Sequence, residues 1–491
     1  MKKMMIVMIA LLSLCGCSTV ISDNTAAKQE ENATAYNLSV TESDSSYSIN
    51  GSTYISLSDE DVKISKGGTY ILEGTMNDAG IIVEVGDDED VQLVLNNVTI
   101  NSGDFAGIYI IEGDEITITL AENSINTISD SGVYTLIDEN EVDALIYSKA
   151  DLFINGTGKL VLNSSYNHGV VSKDDLIITE GDYVIDVAGQ ALRGKDCLMI
   201  SDGNFDIKAG KDALKSDNDE DEYRGYINIT GGNFVISSAQ DAIYGLNLVS
   251  ISGGNFDITT SGTDSNSAKA IKSDVLVEIS GGTFDIDSSD DGIHSDIDLT
   301  ISAGTFNIDS DDDALHADGK LQIDDGEFTI NAHEGIEATY IIINGGNISI
   351  YATDDGLNAS QSVSDYTATI EINGGYLSIS MAQGDTDGID SNGYIIVNGG
   401  TIDFTGQNSF DAELGSEFNG GTIIINGTEV DEIPADMMGG MGGFGGMQGH
   451  GTMPGFTGQG GYPGDTTQQE TDSSDDQSVP SGEYQHRPGR H

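Results

Sequence analysis

The stretch that decides the fold is Val277 to Asp296, which reads VEISGGTFDIDSSDDGIHSD. A second copy follows closely, because Leu299 to Asp318 reads LTISAGTFNIDSDDDALHAD. The marker aromatic of these copies recurs along the chain at Phe205, Phe234, Phe256, Phe284, Phe306 and Phe328. The spacings are 29, 22, 28, 22 and 22 residues, which indicates a basic period of 22 residues with insertions of six or seven. A fixed period in this range is typical of a solenoid.

Apolar and polar residues alternate in three short segments within each copy. Val277 and Ile279 point to one face of the first segment and Glu278 to the other, and the segments around Phe284 and Ile293 alternate in the same way. A period of two is typical of strands, whereas a helix would show a spacing of 3.6. Gly-Gly and Asp-Gly pairs between the segments supply the positive φ of tight corners. The sequence therefore predicts an all-β fold: a right-handed parallel β-helix with three short strands per coil and a period of about 22 residues.

The N-terminus has the features of a bacterial lipoprotein signal peptide, to which we assign residues 1–16. Lys2 and Lys3 precede an apolar run that ends in Leu-Cys-Gly-Cys at residues 14–17. A small residue before a cysteine, with Leu three positions ahead of it, predicts cleavage before Cys17 and lipid attachment to its side chain. The alternative is an ordinary secretory signal that contains cysteines. The lipoprotein interpretation places the protein on the extracellular face of a bacterial membrane, bound through its lipid.

Composition divides the rest of the chain into four further segments. Residues 17–37 are rich in Ser, Thr, Asn, Ala and Glu and predict a flexible tether. Residues 38–150 repeat less regularly, and we interpret them as N-terminal irregular coils and a cap of the β-helix. Residues 151–434 are predicted to form the regular parallel β-helix. Residues 435–491 are rich in Met, Gly and Gln, cannot bury enough apolar surface to offset their ordering entropy, and are expected to be disordered.

The charge balance is strongly acidic. The chain carries 19 Lys and Arg against 82 Asp and Glu, a formal net charge of −63. Such a surface repels nucleic acid, so a nucleic-acid partner is excluded. An acidic chain with ordered apolar runs indicates a protein that binds divalent cations or works among them. After cleavage Cys197 is the one cysteine besides Cys17, so we expect no internal disulfide.

Aligned repeats predict a column of carboxylates just before the third strand, made of Asp212, Asp241, Asp291, Asp313, Glu334, Asp355, Asp387 and Asp411. Like charges one coil apart repel by roughly 1 kcal/mol per pair even in water, so we expect a cation to neutralise them. Hard oxygen ligands in this number suit Ca²⁺. The predicted calcium ligands are Asp290, Asp291, Asp311, Asp312, Asp313, Glu334, Asp354, Asp355, Asp385 and Asp387. The alternative is that these residues only form turns.

The outward positions of the third strand predict a second column, and we assign ligand binding to it. Its members are Lys215, Tyr244, Lys272, His294, His316, Glu337 and Asn358, followed by Asp390. The column changes from basic through imidazole to acidic along the axis, which suits a long polar ligand laid across several coils. A solvated strand face is the alternative for any single residue. His294 and His316 as transition-metal ligands are a further alternative.

The pattern GGxFxI followed by DDGIHSD, from Gly281 to Asp296 and in variant form from Gly304 to Asp318, resembles a family of clostridial cell-surface β-helix proteins known as carbohydrate-binding domains. The resemblance covers about Tyr54 to Thr428. It implies a fold similar to that of pectate lyases, bound calcium, and affinity for plant-wall polysaccharides such as cellulose and polygalacturonate. It carries over no catalytic residue.

These observations predict a cell-surface lipoprotein that binds polysaccharide in a calcium-dependent manner and favours acidic plant-type chains. One alternative is a calcium-dependent, pectate-type lyase, which needs an Arg or Lys to remove a proton from the sugar. Arg193 and Lys215 could stand one coil apart and serve in that role. A structural adhesin or spacer is the other alternative. Neutral chains would need stacking aromatics, for which Tyr244 and Tyr351 are candidates, while Trp is absent from the chain.

Overall fold

The computed structural model describes residues 36–39, 45–135, 138–262, 268–384 and 386–434. They lie in one compact unit, Met1–Met437. The predicted signal peptide, Cys17, nearly all of the predicted tether, the insertion at 263–267, Asp385 and the tail lie outside the described residues. Among the described residues there is no helix able to span a membrane.

The described residues form strands joined by tight turns. The strands before the regular part are Thr53–Leu57 (β1), Val62–Ile64 (β2), Gly68–Asn77 (β3), Ile81–Glu84 (β4), Val91–Asn101 (β5), Ile108–Glu112 (β6), Glu115–Leu120 (β7) and Ile125–Ser129 (β8). Those of the first half of the regular part are Ala144–Ser148 (β9), Asp151–Asn155 (β10), Lys159–Ser164 (β11), His168–Ser172 (β12), Asp175–Ile178 (β13), Asp182–Val187 (β14), Leu192–Gly194 (β15), Cys197–Ile200 (β16), Asn204–Ala209 (β17), Leu214–Ser216 (β18), Tyr226–Ile229 (β19), Asn233–Ser238 (β20), Ile243–Gly245 (β21), Leu248–Ile251 (β22), Asn255–Thr260 (β23), Ile271–Ser273 (β24), Leu276–Ile279 (β25) and Thr283–Ser288 (β26). Those of the second half are Ile293–Ser295 (β27), Asp298–Ile301 (β28), Thr305–Ser310 (β29), Leu315–Ile323 (β30), Glu327–Ala332 (β31), Ile336–Ile343 (β32), Asn347–Ala352 (β33), Leu357–Ala359 (β34), Thr369–Ile372 (β35), Tyr376–Met381 (β36), Asp387–Ser391 (β37), Tyr394–Val397 (β38), Thr401–Thr405 (β39), Asn408–Ala412 (β40), Gly415–Phe418 (β41), Thr422–Ile425 (β42) and Thr428–Val430 (β43).

The strands of the regular part pair in three series. A strand pairs in parallel with the strand three positions later in the chain, as β25 does with β28 and β26 with β29. The long strands β30 and β32 each take part in two series, because they continue through a corner. We call the series that contain β25, β26 and β27 the first, second and third strands of the repeat.

The result is one large, mostly parallel sheet of 43 strands in the described residues, which is not closed. The pairing of β42 with β43 is antiparallel. These residues contain strands and turns but no helix. The prediction of an all-β, solenoid-like fold is thereby confirmed.

The core is a stack of equivalent apolar side chains. Rings from successive second strands lie face to face, with centroids 4.8 Å apart between Phe256 and Phe284 and again between Phe284 and Phe306. The stack runs through Tyr183, Phe205, Phe234, Phe256, Phe284, Phe306 and Phe328. Parallel in-register pairing places identical residues one strand spacing apart, so the ring stack follows from the repeat. Each fully buried ring contributes about 1.5–3 kcal/mol through removal of apolar surface from water.

The residue before each marker segment must be glycine. Gly282 has a φ of 109°, and a Cβ added there would lie 3.0 Å from the ring of Phe284. Both the backbone conformation and the close approach of the ring therefore exclude a side chain. The same arrangement turns the chain into the second strands that begin at Asn233, Asn255 and Thr305.

Candidate functional site

The register of the third strands aligns the seven predicted ligand-binding residues in one row. The row runs through Lys215, Tyr244, Lys272, His294, His316, Glu337, Asn358 and Asp390. Arg193 precedes Lys215 and Asp411 follows Asp390 in the same register. Parallel strands place neighbouring members about 4.8 Å apart. We call this set, from Arg193 to Asp411, the outward row.

A second row lies three residues earlier in each repeat, and we call it the acidic row. Each member accepts a hydrogen bond through its backbone carbonyl from the preceding repeat, and its members are Gln190, Asp212, Asp241, Lys269, Asp291, Asp313, Glu334, Asp355 and Asp387. The sequence alignment of this row was wrong at two places. Lys269 lies between Asp241 and Asp291, where one repeat had been passed over because the insertion at 263–267 changes the spacing. Asp411 pairs with Asp390 and belongs to the outward row, while Asn408 lies opposite Asp387.

The basic end of the outward row is an aromatic ring between two lysines. The Nζ of Lys215 lies 4.8 Å from the ring centroid of Tyr244, and that of Lys272 lies 5.7 Å away on the next repeat. Tyr244 Oη donates a hydrogen bond of 3.1 Å to Asp274. Lys215 Nζ also lies 2.8 Å from the buried carboxylate of Asp212. The ring is thus held between two cations, and its orientation is fixed by hydrogen bonding.

The two cations considered for lyase chemistry are neighbours, as the sequence suggested. Arg193 pairs with Lys215 in the strand register. The guanidinium of Arg193 makes two hydrogen bonds to Asp217, at 3.0 and 2.8 Å. Each of the two cations is therefore paired with a carboxylate of the protein. Arg193 pairs with Asp217, and Lys215 pairs with Asp212.

Lys269 neutralises the middle of the acidic row. Its Nζ lies 2.8 Å from Asp290 Oδ1 and 2.8 Å from Asp291 Oδ2. Burial disfavours the charged form of Asp291, but hydrogen bonds from His294 and Lys269 outweigh burial and hold its pKa well below the usual range. Asp241 behaves in the opposite way, since burial and the charge of Asp212 raise its pKa to about 6 against a backbone hydrogen bond from Lys269.

Two imidazoles occupy the centre of the outward row. The rings of His294 and His316 have centroids 4.7 Å apart. His294 Nδ1 lies 2.7 Å from Asp291 Oδ2, and His316 Nδ1 lies 2.6 Å from Asp313 Oδ2. Burial opposes the charged form of His316, but the hydrogen bond to Asp313 and the neighbouring carboxylates raise its pKa to about 9. The pKa of His294 is raised for the same reasons.

The C-terminal part of both rows is rich in carboxylates. Burial, together with Asp313 and other nearby acids, raises the pKa of Glu334 to about 8, although Asn358 donates it a hydrogen bond of 3.0 Å. Burial and the charges of Asp355 and Asp411 raise the pKa of Asp390 to about 7. Asp355 Oδ1 accepts a hydrogen bond of 3.0 Å from the backbone of the next repeat. The charged side chains therefore change along the axis, from carboxylates that are paired with cations to carboxylates that repel one another.

The structure gathers the predicted calcium ligands only in part. Possible ligand atoms lie within 4.8 Å of one another in four groups along these rows, namely Asp290 with Asp291 and Asp312, Asp291 with His294 and His316, Asp313 with His316 and Glu337, and Glu334 with His333 and Asp354. The first group is the one that Lys269 contacts. Asp311 is exposed at the turn after a second strand, and its backbone N–H bonds to the previous repeat. Asp385 lies outside the described residues.

Sequence reasoning missed one carboxylate group. Asp151, Asp174 and Asp175 come together at the corner before the first strands, with ligand atoms within 4.8 Å. Arg224 Nη1 lies 3.0 Å from Asp175 Oδ1, so this group also has an internal cation. Burial is the largest cause of the raised pKa of all three carboxyls. The repeated text Ser-Lys-Ala-Asp and Ser-Lys-Asp-Asp, ending at Asp151 and Asp175, was the signal that could have revealed it.

Comparisons with known proteins agree with the resemblance found in the sequence. The family model for carbohydrate-binding domain-containing proteins matches residues 58–310 and 298–388. A carbohydrate-binding domain-containing protein of Acetivibrio thermocellus is 37% identical over 133 residues, which are 27% of this chain and 46% of that protein. The match thus spans less than half the length of that relative.

One solved structure is also similar. It is that of a polysaccharide lyase-like protein from C. thermocellum, a gadolinium derivative, with 33% identity and a TM-score of 0.44 over 47% of this chain and 97% of that chain. The family model, in contrast, covers most of the described repeats, including the part of the outward row between Arg193 and Asn358. This chain therefore belongs to the family of carbohydrate-binding domain-containing proteins.

Proposed function

We propose that this protein binds polysaccharide along the outward row, at a bacterial cell surface and with the help of Ca²⁺. The observation that carries the proposal is the alignment of one polar row across successive repeats, with Tyr244 held between Lys215 and Lys272. A chain of sugars is itself a repeating ligand, and a row of aligned side chains offers it a series of contacts. The ring holds the two ammonium groups in place, and they can donate hydrogen bonds to the hydroxyl and carboxylate groups of a sugar chain.

The platform for this row is, in our proposal, a right-handed parallel β-helix with three strands per coil. Support comes from the three pairing series, in which β24, β27 and β30 follow one another in register. Connections between parallel strands of one sheet are right-handed in nearly all proteins, which favours that hand. Each third strand then adds one member to the outward row.

Calcium is proposed to act at the acidic end of the row. The donors that fit it are carboxylate oxygens, which Asp355, Asp387, Asp390 and Asp411 supply in adjacent repeats. The raised pKa of Asp390 supports the proposal, because its cause includes repulsion that a bound cation would relieve. The group around Asp291 fits calcium less well, since the Lys269 ammonium already lies there.

The ligand proposed is an acidic polysaccharide such as polygalacturonate. A protein with a formal charge of −63 repels a polyanion, so direct pairing cannot hold it. Bound Ca²⁺ can take carboxylates from the protein on one side and from the sugar on the other, which reverses the local sign of the charge. Neutral glucans would depend on stacking alone, and the chain has no Trp.

Retention on immobilised polysaccharide tests the function. We expect the full chain to be retained on polygalacturonate with calcium and released by chelator, and to be retained less on cellulose. Asp390→Asn should weaken retention in calcium, whereas Asp257→Asn, which alters an exposed carboxylate on a second strand, should not. Retention on cellulose that is indifferent to chelator, with none on polygalacturonate, would refute calcium bridging. Failure to be retained on either matrix would count against polysaccharide binding itself.

Attachment to the membrane is proposed to occur through lipid on Cys17. The support is the sequence Leu-Cys-Gly-Cys at residues 14–17, which lie outside the described residues. Cells that express Cys17→Ser should release the protein from the membrane fraction and lose its labelling by palmitate. Cys15→Ser is the matched control and should keep both. Unchanged labelling of Cys17→Ser would end the proposal.

A further inference from the structure

The side chain of His316 lies where two carboxylates from neighbouring repeats meet. Its Nδ1 is 2.6 Å from Asp313 Oδ2 and 3.5 Å from Glu337 Oε2. One candidate donor atom from each of the three side chains lies within 4.8 Å of the others. Asp313 is buried, while His316 and Glu337 are partly exposed at the surface of the outward row. The three side chains therefore form a small group that the protein covers at Asp313 and that solvent reaches at His316 and Glu337.

We propose that Asp313, His316 and Glu337 form a site for a divalent transition metal of the Zn²⁺ type. One imidazole nitrogen with two carboxylate oxygens is a donor set that suits zinc and its first-row neighbours, whereas calcium takes oxygen donors. Ligands about 2.0–2.2 Å from zinc in a tetrahedron lie about 3.3 Å from one another, which small adjustments of these side chains reach. The open side leaves a position for water or a ligand hydroxyl.

The surrounding residues support the ligands as they do in metal sites. His316 Nε2 lies 3.4 Å from Asp318 Oδ1, so a carboxylate orients the second ring nitrogen. Ser360 Oγ donates a hydrogen bond of 2.7 Å to Glu337 Oε1, which leaves Oε2 directed toward His316. A carboxylate on the far side of the imidazole and a donor on the far oxygen of the carboxylate are the usual outer partners of metal ligands. These contacts are independent of the distances within the triad.

The preceding repeat carries the same Asp and His pair, and candidate donor atoms of Asp291, His294 and His316 also lie within 4.8 Å of one another, but a lysine accompanies them. Asp291 and His294 are the counterparts of Asp313 and His316, at 2.7 Å. In that repeat the Lys269 ammonium lies 2.8 Å from Asp291 and supplies the positive charge. The position that corresponds to Lys269 one repeat later is Asp291, a carboxylate. A cation from solution at Asp313 therefore has the role that Lys269 has at Asp291.

The inference is separate from calcium and from polysaccharide binding, because the site uses an imidazole and lies before the acidic end of the outward row. Isothermal titration of the full chain with Zn²⁺ in millimolar Ca²⁺ measures it directly. Co²⁺ titration provides a spectroscopic check, since an imidazole and carboxylate site of low coordination number gives visible d–d absorption. We expect one site that survives calcium in both experiments.

The affinity of variants for Zn²⁺ shows which side chains bind the metal. His316→Gln and Glu337→Gln should each weaken Zn²⁺ binding at least tenfold and remove the Co²⁺ absorption, and Asp318→Asn should weaken binding about tenfold through the orientation of the ring. His333→Gln is the matched control, because His333 is an exposed histidine one repeat away that also has carboxylates in reach. It should leave the affinity unchanged. Melting curves of metal-free variants confirm folding.

Three results would overturn the inference. They are the absence of a Zn²⁺ site in the parent protein, an unchanged affinity in both His316→Gln and Glu337→Gln, and a loss caused by His333→Gln instead. Loss of polysaccharide retention bears on the proposed function alone, so the two proposals fail separately.

Discussion

The ammonium of Lys269 lies 2.8 Å from the buried carboxylate of Asp291. This contact divides the acidic row into a part that the protein neutralises with its own cations and a part where carboxylates repel one another. At Asp212 the neutralising group is Lys215. From Asp313 onward the rows carry acids such as Glu334 and Asp390, whose raised pKa values reflect burial and neighbouring acids. Chemistry that needs an external cation belongs to that second part.

Removal of Lys269 should destabilise the protein strongly. Lys269→Met removes the ammonium that contacts both Asp290 and Asp291, and a buried charge that loses such a partner costs about 3 kcal/mol or more. Urea unfolding at pH 7 measures the change. Lys208→Met is the matched control, since its pair with Asp186 is 3.6 Å long and solvent-exposed, and it should shift stability by about 0.5 kcal/mol or less. Equal shifts in the two variants would show that Lys269 has no special role.

The ring stack should depend on each of its members. Phe284→Ala opens a cavity between Phe256 and Phe306 and should lower the free energy of unfolding by about 3–5 kcal/mol. Val235→Ala, at an exposed position on a second strand, should change it by about 0.5 kcal/mol or less. A loss for Phe284→Ala as small as that for Val235→Ala would show that the ring stack does not stabilise the core.

Much of the fold could be predicted because the same local pattern of apolar and polar residues recurs in each repeat. Alternation around Ile293 identified both the inward side chains and the outward His294, and the structure buries Ile293 and leaves His294 at the surface. The marker rings fixed the period, and stacked rings such as Phe284 and Phe306 follow from it. Residues that obey the 22-residue period were therefore aligned correctly without coordinates.

The site was predictable only where that period holds. Lys269 follows an insertion, so counting from Phe256 does not reach it, and the gap in the acidic row was not seen. Asp411 was misplaced because the last repeats have no marker Phe at the position of Phe328. The cluster at Asp151 forms at a corner, where side chains from separate repeats converge and periodicity alone does not report the distance.

Stability should depend on pH through Asp241. Burial raises the pKa of its carboxyl from the ordinary 3.8 to about 6, so the folded state binds a proton more tightly than the unfolded state. The stabilisation is complete below pH 4 and is lost as pH rises through about 6. Asp241→Asn keeps the acceptor for the Lys269 backbone N–H and should be more stable than the parent at pH 7 by about 1–3 kcal/mol, with no difference near pH 4.

Unfolding in urea across this range measures the difference between variant and parent. Asp257→Asn, at an exposed position of a second strand, is the control and should follow the parent at each pH. A difference between Asp241→Asn and the parent that stays constant from pH 4 to pH 7 would contradict the assignment of the proton to Asp241.

Tyr244 should be the residue on which polysaccharide affinity depends most. Its ring lies between Lys215 and Lys272, at 4.8 and 5.7 Å from their Nζ atoms, and Tyr244→Ala removes the ring that holds both ammonium groups in place at the basic end. We expect affinity for polygalacturonate in calcium to fall about tenfold, which corresponds to about 1.4 kcal/mol. Tyr244→Phe keeps the aromatic ring and loses only the hydrogen bond to Asp274, so the affinity of this variant should fall much less.

Tyr351→Ala is the matched control, because Tyr351 is an exposed tyrosine on the second strands, away from the outward row. If Tyr351→Ala lowers affinity and Tyr244→Ala does not, the ligand lies on the second strands and the outward row is not the binding surface.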